Sequence, residues 1–187
     1  QTAAGIAAEG RTVLYVSGEE SEEQIKLRAD RVCSSIPESL YVLSETNFEN
    51  VEAACDNLKP NFLVIDSIQT LYSSQLDSAP GSVSQVRMCG NLLMKLAKTR
   101  DIPIFIVAHV TKSGDLAGPK TVEHLVDCVL NFTGERDQEL RILRSYKNRF
   151  GTTSEIGAFR MEAEGLKEVR DISATFLERS EEMSEGS

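Results

Sequence analysis

Long apolar runs are missing from this 187-residue sequence. No uninterrupted stretch approaches the ~20 residues needed to span a bilayer. The first residues also lack the basic-then-apolar layout of a signal peptide, so the expectation is a soluble cytoplasmic protein with no membrane partner. Paired cysteines are missing too: Cys33, Cys55, Cys89 and Cys128 stand singly, with no C-x-x-C to seed a zinc site or a redox couple. They read as reduced thiols packed in a core. Positive charge is scarce, 20 Lys+Arg against 29 Asp+Glu for a net charge of −9, so the molecule as a whole repels polyanions at long range. Any nucleic-acid contact must come from a local basic surface. Core-forming residues are plentiful, since the 41% apolar fraction and 12 glycines suit a globular chain of about one domain rather than a disordered one.

Periodicity then gives the elements. QTAAGIAAEG opens the chain with Gln1 rather than Met, and Gly10 sits where a helix ends at a left-handed residue, so the chain reads as entering in mid-helix. TVLYVS (12 to 17) is a short apolar, β-branched strand. The capping-box pattern from Ser21 to Gln24 follows, opening a helix with Ile25, Ala29, Val32 and Ile36 on one face. LYVL (40 to 43) is a second strand, then Asn47 caps a helix with Val51, Ala54, Cys55 and Leu58 at i, i+3, i+4, i+7. NFLVID (61 to 66) is a third strand. A long helix from about 83 to 99 carries Val86, Gly90, Leu93, Met94 and Ala97 on one stripe, and IPIFIVAH (102 to 109) is a fourth strand. Apolar strands separated by helices predict an α/β fold, a mainly parallel sheet flanked by helices with right-handed crossovers. After Asp127 the pattern changes. CVLNFTG, ELRILRSYKN and SEIGAFRMEAEG read as antiparallel strands extending the C-terminal edge of that sheet, and an acidic tail follows.

In an open parallel sheet, ligands bind at the carboxyl ends of the strands. Asp66 ends FLVID and is followed by Ser67, the arrangement of a Walker-B aspartate that holds Mg²⁺ through water or a P-loop hydroxyl. The same position equally suits a helix cap or a loop aspartate. Glu19 and Glu20 follow the first strand, where a carboxylate can orient a water for attack on a γ-phosphate. Acidic residues near a helix start also simply favour the macrodipole. His109 ends the fourth strand and suits phosphate sensing, or serves as a satisfied polar group. The following loop, TKSGDLAGPKT, carries Lys112 and Lys120, which suit a phosphate backbone or a generic surface. Lys147 and Arg149 stand two apart after a strand-like run. If the strand continues they share a face and can reach nucleotide phosphates as an arginine finger does; otherwise they are two solvated cations. No G-x-x-x-x-G-K-[ST] occurs, so a phosphate cradle is lacking from the sequence.

YVSGEES (15 to 21), LVIDSIQTL (63 to 71), GSVSQVR (81 to 87), VAHVTKSGDLAGPKTVEHLVD (107 to 127) and YKNRFG (146 to 151) together closely resemble the ATPase core of the bacterial RadA (Sms) family. These are RecA-like DNA repair and recombination ATPases related to DnaB-type helicases. The resemblance runs from residue 1 to about 169. It implies a RecA-like core over 1–170 that starts after the P-loop, with an acidic tail or linker over 171–187. The family's four-cysteine zinc module, its P-loop and its Lon-protease-like domain are not in this sequence.

Carried over residue by residue, the resemblance implies that Glu19, in preference to Glu20, polarises the attacking water. Asp66 with Ser67 binds Mg²⁺ and ATP, His109 is the polar switch, and Lys147 and Arg149 reach across a subunit interface to a neighbour's ATP. The loops over 73–82 and 111–121 resemble DNA-binding loops, with Arg87, Lys112 and Lys120 as backbone contacts. The implied cofactors are ATP and Mg²⁺; the implied partners are single-stranded DNA, further copies in a ring (a hexamer in the family) and recombination proteins. The implied function is a DNA-dependent ATPase of repair and homologous recombination that drives branch migration on single-stranded DNA. Without its main nucleotide anchor, this chain alone is expected to bind ATP weakly or not at all and to be inactive. Two other classes stay open. One is a non-catalytic RecA-like DNA-binding and assembly module. The other is a KaiC-type signalling ATPase, against which KNRFG and VTKSGDLAGPK argue.

Overall fold

The computed structural model describes residues 1–110, 118, 120–134 and 140–170. Lys112, most of its loop and the acidic tail lie outside the described residues. In chain order the elements are α1 (Thr2–Ala8), β1 (Val13–Ser17), α2 (Glu22–Val32), β2 (Leu40–Ser44), α3 (Phe48–Leu58), β3 (Phe62–Asp66), α4 (Val83–Arg100), β4 (Ile104–Val107), α5 (Lys120–Glu123), β5 (Cys128–Thr133), β6 (Leu140–Asn148), β7 (Ile156–Glu162) and β8 (Gly165–Glu168). The chain divides into two compact units, Gln1–Val126 and Asp127–Ser187.

The first unit is built on a parallel sheet in the order β2-β1-β3-β4. Alternation along the strands sends their side chains into two separate cores. Leu14, Val16, Leu63 and Ile65 enter a large cluster with Phe48, Val51 and Cys55 of α3 and Val86, Cys89, Leu93 and Leu96 of α4. Val13, Phe62 and Val64 enter a smaller one that Ala3, Ile6 and Ala7 of α1 cover. Each fully buried aliphatic side chain contributes about 1.5–3 kcal/mol, so a strand apolar on both faces is stable only between helix layers. The predicted α/β class is therefore the one found.

Local signals mostly act as expected. Gly10 closes α1 with φ 85°. At the start of α2, Ser21 and Gln24 exchange side-chain-to-backbone hydrogen bonds in a capping box. Asn47 accepts from the Asn50 amide at the start of α3, and Ser82 from the Gln85 amide at the start of α4. One expectation fails: α2 stops at Val32, so Ile36 lies beyond the helix and is exposed.

The connection from β3 to α4 is braced from inside. Gln85 is completely buried; its carbonyl oxygen accepts the Ser73 N–H at 3.0 Å, and its amide nitrogen donates to the carbonyls of Ser73, Leu76 and Ser78. Glu49 of α3 accepts from the Ser73 hydroxyl at 2.6 Å and from the Ser74 amide at 3.2 Å. Burial works against charging Glu49, but the bonds from Ser73, Ser74, Gln75 and its own amide outweigh it and hold the carboxyl below its ordinary 4.5.

The second unit is an antiparallel sheet in the order β5-β6-β7-β8, with a bulge between Val129 and Leu130. Each of these strands finds its backbone partner in the same run of hairpins, so among the described residues they form a sheet of their own rather than extending the parallel one. Phe132 and Phe159 pack with ring centroids 6.1 Å apart. The four cysteines do not share one environment. Cys55 and Cys89 are buried, and burial pushes their thiols up to about 11 and about 12. Cys33 is half-buried, and Cys128 is exposed on the side of β5 that also shows Leu130 and Phe132.

Replacing Gln85 with Leu keeps the volume and strands the loop's buried polar groups. It is expected to cost roughly 3 kcal/mol of unfolding free energy, the scale of unpaired buried hydrogen-bonding groups, whereas Gln75→Leu on the exposed side of the loop is near neutral. Urea denaturation of the three proteins compares them directly.

Candidate functional site

The parallel register brings three strand ends level. Ser17 lies opposite Asp66, and Asp66 opposite Val107. The residues that follow each end therefore meet over the carboxyl edge of the sheet, where side chains no longer enter either core.

Gly18 makes the first turn possible. Its N–H donates to the Asp66 carbonyl at 2.9 Å, and a Cβ there would sit 2.0 Å from Thr70 Oγ1, so any other residue collides. Ser17 Oγ then accepts from the amides of Glu19 and Glu20 at 3.4 and 3.0 Å, curling the chain toward the capped start of α2.

Three expected residues converge. Ser67 Oγ donates to Glu19 Oε1 at 2.9 Å. His109 Nε2 lies 3.4 Å from the same Glu19 oxygen and 3.8 Å from Asp66 Oδ1. The other Asp66 oxygen accepts the hydroxyl of Tyr15. Glu20 is drawn away instead, its carboxylate paired with Arg28 of α2. Of the two adjacent glutamates, Glu19 is the one the geometry brings to Asp66 and His109.

Ser67 joins them in a role other than the expected one. Ser67, expected on the nucleotide, is buried and spends its hydroxyl on Glu19. Arg87 is exposed in the second turn of α4 and Lys120 begins α5; neither takes part in the bonds just described. In the second unit, β6 ends at Asn148, so Lys147 and Arg149 do not continue one strand face. The chain turns because the Arg149 N–H donates to the Asp127 carbonyl at 2.9 Å, while its guanidinium holds Asp127 Oδ1 at 2.7 Å.

Two contributors escaped sequence reasoning. Tyr15 looked like one more core residue of an apolar strand, yet its hydroxyl reaches the cluster. Burial, then the hydrogen bond and charge of Asp66, push its phenol from 10.0 up to about 12, with Arg28 opposing. Gln69 lies within LVIDSIQTL with no role assigned to it, and its amide bonds the backbone of His109 at both N–H and C=O.

Chemically, the cluster offers two carboxylates with oxygen donors only, a neighbouring imidazole and a carboxylate-bound hydroxyl. Among the described residues no group of three or more His, Cys, Asp or Glu forms a cage for a metal ion. The donor set does fit Mg²⁺, which is commonly held by one or two carboxylates, waters and substrate phosphates rather than by an all-protein cage. Glu19 and Asp66, with side chains 48% and 21% exposed, are the carboxylates that such an ion could reach.

Residues 1–115 match the AAA domain family. The chain belongs to that family. It is similar over its whole length to "DNA repair protein RadA" of Bacillus subtilis at 56% identity and of Helicobacter pylori strain J99 at 54%. The Streptococcus pneumoniae protein of the same name is 54% identical over 94% of the chain. The chain spans 41% of the Bacillus subtilis and Helicobacter pylori relatives and 42% of the Streptococcus pneumoniae one. The motif resemblance is thereby borne out. The crystal structure of the RadB recombinase superposes with a TM-score of 0.57 at 19% identity, covering 87% of this chain and 81% of that one. This similarity shows a shared fold, an α/β core of the class that the motifs implied.

Tyr15 ties stability to alkaline pH. Its folded-state pKa of about 12 lies above the unfolded 10.0, so its contribution is whole below pH 10, shrinks above it and is lost as pH rises through 12. Ultraviolet titration of the tyrosines is expected to show one late group that Tyr15→Phe removes. Alkaline unfolding of that variant is expected to begin at higher pH relative to its own neutral-pH stability.

Proposed function

We propose that this chain supplies the water-activating and magnesium-holding part of an ATP-hydrolysing site in a DNA repair and recombination ATPase acting on single-stranded DNA. The observation that carries the reading is the convergence of Glu19, Asp66 and His109 at the carboxyl ends of three adjacent parallel strands, in a fold shared with a recombinase. Names of the relatives support the repair role. Glu19 accepts the proton of a water as it attacks the γ-phosphorus, the bond to the β-phosphate oxygen breaks, and ADP and phosphate leave. Ser67 and His109 fix the orientation of Glu19. Asp66 would hold a Mg²⁺ ion, which would supply neutralisation of the charge developing on the phosphate oxygens. Lys147 and Arg149 act on the nucleotide of a neighbouring copy in a ring, and Arg87, Lys112 and Lys120 contact the DNA backbone. Such contacts are independent of sequence and sensitive to salt. Branch migration, recombination-protein partners and a cytoplasmic location belong to the same proposal.

The absence of G-x-x-x-x-G-K-[ST] favours a second reading for the chain by itself, a DNA-binding and assembly module without turnover. Salt-dependent binding of oligonucleotides, indifferent to ATP and lost in Lys112→Ala/Lys120→Ala, supports that reading.

Phosphate release by the full product of the gene, with and without single-stranded DNA, tests the first. Glu19→Gln is expected to lower kcat by about 10²–10⁴, the usual worth of a positioned base. Glu20→Gln, which breaks an exposed ion pair, stays within about threefold. Full activity in both Glu19→Gln and Asp66→Asn sinks the hydrolytic assignment. Mg²⁺-dependent turnover by this chain alone, abolished by Asp66→Asn, overturns its expected inactivity.

A further inference from the structure

β3 and β4 remain laddered as far as Asp66 and Val107, and the Ile68 N–H still reaches the Val107 carbonyl at 2.9 Å. Beyond that point the chain after β3 turns through 67–70, so among the described residues no neighbouring strand is left beside His109. A side chain takes that place. The Gln69 amide nitrogen donates to the His109 carbonyl at 2.9 Å, and the Gln69 carbonyl oxygen accepts the His109 N–H at 3.3 Å. Gln69 is 6% exposed, so both bonds are shielded from competing water.

We propose that Gln69 is a positioning residue: its carboxamide extends the β3–β4 ladder by one step and fixes the backbone of His109, which holds the imidazole against Glu19 and Asp66. A carboxamide has the donor and acceptor of a peptide unit, so it completes a ladder that the main chain has abandoned. Two bonds at one residue fix rotation as well as distance, which a single bond does not. The imidazole is half exposed and touches its partners only at 3.4 and 3.8 Å, contacts too loose to hold it unaided. The clamp also ties the backbone of His109 to the turn that follows Asp66. As a reading of one site, this deepens the proposed function, but its test needs no nucleotide.

The experiment uses this chain, with the Glu19 side-chain carboxylate observed by ¹³C NMR and assigned through Glu19→Gln. In the parent, His109→Ala is expected to shift the Glu19 resonance, because it removes the adjacent imidazole. In a Gln69→Met background, which keeps length and loses both bonds, that response is expected to disappear. Gln69→Glu keeps an acceptor for the His109 N–H but sets a carboxylate oxygen against the His109 carbonyl; it is expected to lose the response as well, and it serves if the Met variant fails to fold. A purely structural role predicts a lower Tm with an undiminished Glu19 response, and that result overturns the proposal. Since no step depends on hydrolysis, failure here leaves the ATPase assignment standing, and absent turnover leaves this test intact.

Discussion

Everything at the candidate site depends on three parallel strands ending level. Ser17, Asp66 and Val107 share one rung, and each chain leaves the sheet within two residues of it. That register is fixed from below. β1 and β3 are apolar on both faces, and a slip of one residue would exchange the side chains of the α1 core with those of the α3–α4 core. Tyr15 and Val64 belong on one side, Val16 and Ile65 on the other, and the two cores differ too much in size to accept the exchange. The position of the carboxylates is therefore a consequence of hydrophobic burial many ångströms beneath them.

Two carboxylates close to one another repel unless each has its own donors. The structure meets this by dividing the donors: Tyr15 serves Asp66, Ser67 serves Glu19, and His109 lies within reach of both. A third acid, Glu20, is removed from the group by Arg28. The pairing explains how two adjacent glutamates come to differ. The Ser17 hydroxyl binds both of their amides, and only the side-chain partners separate them. The cationic residues of the second unit follow another logic. Arg149 meets Asp127 through both backbone and side chain, and these two bonds define the turn after β6.

The layers and most of the helices were legible in the sequence because they follow periodicity and capping, which act within a few residues. Ser21 and Asn47 begin their helices, and Gly10 closes α1, where their chemistry says they should. Asp66 and Glu19 were legible as polar residues at the ends of apolar strands. The premature end of α2 was not, because Cys33 and Ser34 give no strong stop signal and Ile36 continues the apolar spacing. The separate antiparallel sheet was not legible either. Alternation marks a strand but does not say which strand lies beside it, and the partners of β6 are its own hairpin neighbours rather than β4. Tyr15 was hidden for a related reason: a phenol in an apolar strand looks like core until the register shows Asp66 two rungs on.

Gln69 and Gln85 share a physical role that no short-range pattern reveals. Both are buried carboxamides placed just where a main chain leaves regular structure, one beside the end of β4, the other under the connection to α4. At such points the backbone still presents N–H and C=O groups that burial forbids to water, and a helix or a strand no longer absorbs them. An apolar side chain would fill the space and leave those groups orphaned; a charged one would add a desolvation cost of its own. A carboxamide supplies both halves of the missing peptide without charge. Because it bonds only in one orientation, it specifies the path of the loop as well as stabilising it. No buried side-chain nitrogen or oxygen among the described residues lacks a partner, which is the expected outcome of that arrangement. Gln69 so holds the backbone of His109 beside the carboxylates, and Gln85 the connection that leads from β3 to α4, two neutral residues that take no part in the charge of the site.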